Sequence, residues 1–131
     1  MKKYMDLDKK SDFDFSDVNV GDEIWACAFE YESTKEGTFL MQEPVLGQFV
    51  SAKTEKEHLK NISNDEKLYI SHFVPYKKNG KDLAWSKAVL IRNRMYATTK
   101  EECTEMFNES IKDKINWHLQ ELEKLNKMFI K

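Results

Sequence analysis

Residues 99–131 contain neither glycine nor proline and carry apolar side chains at helical spacing, and this stretch constrains everything before it. Thr99-Lys100-Glu101-Glu102 matches a capping box, in which a threonine oxygen accepts from the third amide and a glutamate reaches back. Glu101, Glu102 and Glu105 suit the positive end of a helix dipole, and Lys124, Lys127 and Lys131 suit its negative end. Ile111, Ile115, His118, Leu122, Leu125 and Phe129 then alternate steps of four and three residues, the seam of a left-handed supercoil. Cys103, Met106 and Phe107 form a broader patch upstream, as on a helix packed against a sheet. Such a helix spans roughly 48 Å at about 1.5 Å per residue, whereas typical strands reach about 17–20 Å. The spacing therefore predicts that the first half packs and the second half overhangs. An overhanging seam needs cover from the N-terminal segment, a second copy of the chain, or another protein. His118 stands where leucine is expected, either fixing register or sitting half exposed at a rim.

The upstream residues read as strands. At 131 residues, with 40% apolar and 34% charged, the chain has the make-up of one globular domain. No apolar run approaches the roughly 20 residues of a membrane span, and no signal-peptide core is evident. Cys27 and Cys103 both lie in apolar contexts, which favours buried free thiols, a reducing compartment and a cytoplasmic setting.

In chain order, residues 1–19 form a lead-in, flexible unless Phe13 and Phe15 add to a strand. Asp12, Asp14 and Asp17 lack the glycine and closing glutamate of a calcium loop, so no metal site is expected. Residues 23–32 alternate Ile24, Ala26 and Ala28 with Trp25, Cys27, Phe29 and Tyr31. Both faces are apolar, so the strand is expected to be central, with the helix docked on the face of small residues. Pro44 and Gly47 bend a second strand, and residues 53–67 are a polar insert with one or two helical turns starting at Thr54. Residues 68–76 read as a third strand, Asn79-Gly80 as a tight hairpin turn, residues 82–91 as a fourth strand, and residues 95–98 as a short fifth.

Catalytic constellations are missing from this pattern. His58, His72 and His118 lack ligand spacing, and no phosphate-cradling loop, nucleophile elbow or paired-carboxylate motif is present. Pairings of Cys27 with His72 or Cys103 with His118 stay open. Charge is split along the chain: residues 20–50 hold six acids against one lysine, and residues 67–98 hold seven basic residues against Asp82. Glu30, Glu32 and Glu36 form an acidic face suited to a basic protein partner. Lys77, Lys78, Lys81, Arg92 and Arg94, with Tyr76, Trp85 and Tyr96 between them, have the composition of a nucleic-acid groove. The isoelectric point near 6.0 argues against a general DNA binder. The bland reading of the split is two hairpins that attract each other.

Gly21-Asp22-Glu23-Ile24-Trp25 resembles the turn-and-strand opening of SH3-like barrels. Tyr96-Ala97-Thr98-Thr99-Lys100-Glu101-Glu102-Cys103 resembles the strand-to-helix junction of small phage and prophage accessory proteins of that build, with cysteine in place of alanine. The resemblance implies a mobile-element protein that binds and blocks a host or defence protein, and it transfers no catalytic residue. The expected fold is α+β: a lead-in at 1–19, a bent antiparallel sheet or small SH3-like barrel of four to five strands at 20–98, and one long C-terminal helix at 99–131. The expected function is non-catalytic protein binding, without cofactor or metal and away from membranes, with the seam open to homodimerisation. Nucleic-acid binding through residues 77–94 is the alternative. A third reading is a small-nucleotide sponge built on Trp25, Trp85 and Tyr96.

Overall fold

The structure, a computed structural model, describes residues 2–7, 13–31, 39–62, 64, 66–87 and 94–130. The elements are β1 (Lys3–Asp6), β2 (Glu23–Tyr31), β3 (Phe39–Phe49), α1 (Ala52–Ile62), β4 (Lys67–Ile70), β5 (Phe73–Pro75), β6 (Met95–Ala97) and α2 (Lys100–Lys127). The fold is α+β. Among the described residues six strands form two sheets, an antiparallel one in the order β5-β3-β2-β6 and a parallel pair β1-β4. Among the described residues there is no closed barrel.

β2 is central, as its two apolar faces require, paired to β3 on one side and β6 on the other. β3 keeps its course through Pro44 because the pairing slips there. Ala26 opposes Val45 and Ala28 opposes Gln42, so β3 carries the extra residue of a bulge. Gly47 sits between Ile24 of β2 and Pro75 of β5. A methyl group on it would overlap the Val74 carbonyl and the Phe73 ring.

The helix docks on the opposite face from the one expected. α2 lays Cys103 and Phe107, flanked by Met106 and Ile111, on Trp25, Cys27, Phe29, Met95 and Ala97. The face bearing Ile24 and Ala26 is filled instead by Phe73, Tyr96 and Val45, together with Phe13 and Phe15 of the lead-in. Phe15 stacks on Phe49 with ring centroids 5.6 Å apart and meets Tyr96 edge-on at 5.1 Å. Five bulky aromatic rings compete for that face, and the smaller Cys27 and Ala97 leave room for the helix backbone on the other.

Three further expectations change. The start of the lead-in is a strand: β1 pairs in parallel with β4, Lys3 opposite Lys67 and Asp6 opposite Ile70. The expected third strand is broken at Ser71-His72, where His72 takes φ 59°, so its halves enter different sheets. The polar insert is an eleven-residue helix, α1, that starts earlier than Thr54. Ser51 caps it, its hydroxyl oxygen accepting from the Thr54 amide at 3.2 Å. Leu59 of α1 packs with Val50, Leu68, Ile70 and Val74 in a third cluster.

The Asn79-Gly80 turn is wider than a two-residue hairpin. Neither residue has positive φ, the Lys77 amide donates to the Asp82 carbonyl at 2.7 Å, and Tyr76 and Leu83 form one isolated bridge. After it comes a short 3-10 turn, Trp85–Lys87, in place of the start of the expected fourth strand. Residues 88–91 of that expectation lie outside the described residues.

Candidate interaction surface

α2 begins as its sequence demands. Thr99 is the N-cap in extended conformation, and its hydroxyl accepts from the Glu102 amide at 3.2 Å. The helix then divides in two. Cys103 and Phe107 are buried, and Ile111 is the last side chain packed on the sheet as well as the first of the seam. Beyond it the helix leaves the β-region: Ile115 is 53% exposed, Leu122 55% and Leu125 59%. α2 ends at Lys127 with Met128 as its cap, sooner than expected, so Phe129, the last residue of the expected seam, lies outside the helix. His118 is half-buried and lies edge-on to Trp117, centroids 5.0 Å apart. Lys114 Nζ stands over the Trp117 ring at 5.6 Å. Lys112 with Glu109, Lys124 with Glu121 and Lys127 with Glu123 form ion pairs along the helix. Exposed pairs of this kind add little stability, but they keep these charges beside the apolar seam rather than on it.

The acidic and basic sets fare differently. Glu32, Glu36 and Arg92 lie outside the described residues, as does the Glu30 side chain; the Glu30 backbone pairs with Leu40 in β2. Lys77 and Lys78 are exposed at the hairpin tip. Lys81 Nζ donates to Glu23 Oε1 at 2.7 Å, and the Tyr76 hydroxyl donates to the same oxygen at 3.1 Å. The Lys81 ammonium, then the Tyr76 hydroxyl, hold the Glu23 carboxyl below its ordinary value, and Glu23 in turn raises Lys81. This contact joins the acidic and basic segments directly. Arg94 is not a surface cation. It is 6% exposed, and its guanidinium donates to Gln42 Oε1, Ser71 Oγ, the Phe73 carbonyl and the Lys87 carbonyl.

Trp25, Trp85 and Tyr96 do not share a pocket. Trp25 lies under α2, Tyr96 belongs to the opposite face of the sheet, and Trp85 stacks on His58 with centroids 3.9 Å apart. Cys27 Sγ donates to the Cys103 carbonyl at 3.5 Å while His72 Nε2 meets Asp6, so that pair does not form. Cys103 and His118 lie on the same helix at a separation of roughly 22 Å, at about 1.5 Å per residue, so they do not pair either. Both thiols are free and buried, and burial pushes Cys27 up to about 12 and raises Cys103. Thiols so protonated at neutral pH are poor nucleophiles. Among the described residues no group of three or more His, Cys, Asp or Glu side chains could hold a metal ion. No described helix is long and apolar enough to cross a membrane.

One polar cluster escaped the sequence reading. Glu55 of α1 is fully buried, accepting from the Ser71 amide at 3.1 Å on Oε1 and the His72 amide at 2.8 Å on Oε2. Two successive amides turned toward one anion form a nest, here filled by the protein's own carboxylate. His72 Nε2 meets Asp6 Oδ2 of β1 at 3.0 Å. The Ser71 hydroxyl donates to the Phe73 carbonyl at 3.1 Å. A serine directed at a carbonyl and a histidine directed at a carboxylate on the far strand make a clamp on the chain break; neither activates the other. The sequence signal was slight: Glu55 stands four residues before Leu59, on the buried side of α1.

No protein-family model matches the chain, and neither a curated protein nor a solved structure does.

Proposed function

We propose that the chain is a non-catalytic protein-binding module whose binding element is the overhanging half of α2. One observation carries this reading. Ile115, Leu119, Leu122 and Leu125 share one side of the overhanging helix and are each more than half exposed, and Met128, Phe129 and Ile130, more exposed still, follow at its end. Soluble monomers seldom present a contiguous apolar patch of this kind unless it meets something. An amphipathic helix lying against an apolar surface is a common recognition mode, with anchors at helical spacing. Inhibition of a host defence protein is the narrower role supported by the resemblance of residues 21–25 and 96–103 to phage accessory proteins, as is an SH3-like ancestry for the bent sheet. The two buried thiols support a cytoplasmic setting.

The test is site-directed photo-crosslinking in cells expressing the full chain, with a photoreactive residue at Leu122 or, as the comparison, at Lys78. Defined protein adducts are expected from position 122, and Leu125→Glu should abolish them. An absence of adducts from 122, or adducts indifferent to Leu125→Glu, refutes the reading.

A further inference from the structure

The geometry points to a second copy of this chain as the occupant of the overhang, bound as an antiparallel helix pair. This rests on the protein-binding reading above and names its partner.

The seam residues choose the orientation. Taken as heptads, Ile115, Leu122 and Phe129 share one position, and Ile111, His118 and Leu125 share the other. An antiparallel pair centred between His118 and Leu122 sets Ile115 against Leu125 of the partner subunit and His118 against Leu122 of the partner subunit; Phe129 follows the Met128 cap and lies outside the paired helix. Every seam residue from Ile115 to Leu125 then has a seam residue opposite it, and both copies of Leu119, itself 57% exposed, meet at the two-fold axis. A parallel pair would set the two His118 imidazoles against each other and leave Leu119 flanking the seam.

The centred register also keeps the two β-regions apart, since each helix ends at Lys127, opposite residue 113 of the other and short of Ile111, where that helix leaves its sheet.

Size sets the expected strength. Each buried aliphatic side chain removes on the order of 100 Å² from water, so this short seam buries roughly 1,000 Å² in total, at the lower edge of specific interfaces. The dimer should therefore be reversible, with a dissociation constant of about micromolar order.

The experiment is sedimentation equilibrium of the full chain over a concentration series, combined with cysteine pairing. A monomer–dimer equilibrium is expected, and Leu122→Glu with Leu125→Glu should leave a monomer of unchanged melting temperature, because both side chains are exposed in the single chain. Under mild oxidation, His118→Cys chains mixed with Leu122→Cys chains should form mixed disulfides, while Leu122→Cys alone should not link to itself. Cys27 and Cys103 are buried and do not compete. A wild type that stays monomeric to submillimolar concentration overturns the proposal, and so does self-linking by Leu122→Cys, which reports parallel helices. If instead the photo-crosslinks at Leu122 run to other proteins while the chain is monomeric, the dimer fails and the binding reading stands. If there are no adducts at all, both fail.

Discussion

Glu55→Ala should destabilise the fold by about 3–5 kcal/mol, the usual result of removing one partner from a buried charged cluster. The carboxylate satisfies the amides of Ser71 and His72 at the point where the chain leaves β4 for β5, and no water reaches that side chain. Its charge also offsets that of buried Arg94. Glu55→Gln is the sharper probe. It keeps the shape and one oxygen but turns an NH₂ group toward a backbone amide, leaving donor against donor at a cost of about 1–3 kcal/mol. Urea unfolding of both variants checks the order; an alanine variant within error of wild type would show that the clamp does not hold the break.

The same residue has a pH signature. Burial raises the Glu55 carboxyl above its ordinary value of 4.5, the surrounding amides, His72 and Arg94 pulling the other way. The native state thus binds this proton more tightly than the unfolded chain. Its contribution to stability is complete below the ordinary value and is lost as pH rises through the raised one. Wild type should lose stability relative to Glu55→Gln across that window. A difference between the two that does not change with pH would exclude a raised Glu55.

Gly47→Ala is expected to cost about 3 kcal/mol, the upper end for overpacking, and to lower the melting temperature by roughly 10 °C in a chain of this size. The added methyl would overlap a backbone carbonyl, at Val74, as well as the buried Phe73 ring, and a carbonyl held in a ladder has little room to yield. Gly80→Ala is the control, because nothing lies within 4 Å of a methyl group there. Equal melting temperatures for the two variants would mean that the β3–β5 edge adapts freely.

What could be read from the residues alone followed local rules. The Thr99 cap, the central place of β2 and the length of α2 past its sheet all depend on neighbours within a few positions. The parallel pairing of β1 with β4 has no local mark, since both segments are short and their alternation suits any partner. The break at His72 was hidden because neither glycine nor proline marks it; an ordinary residue is held at positive φ by a carboxylate from a distant helix. The docking face of α2 was misread because residue size along β2 was weighed without Phe13, Phe15 and Phe73, which come from elsewhere to fill the small-residue face. The surface basic cluster thinned for the same reason, as Arg94 is drawn inward by Gln42, Ser71 and two carbonyls.

The β1–β4 pairing has a consequence for chain entropy. Joining Lys3 to Lys67 closes a loop of roughly 60 residues, which costs about 3–4 kcal/mol of conformational freedom. A single net hydrogen bond returns only about 1 kcal/mol. The first strand is therefore held by its whole set of attachments together: the four-residue ladder, the Tyr4 ring against the Leu59 cluster, the Lys2 ammonium on the Lys60 carbonyl, and Asp6 on His72. Because the loop cost is met once for the set, these contacts are cooperative. The Asp6–His72 bond acts as the clasp of a large ring, joining the start of the chain to the same bend that Glu55 grips from the other side.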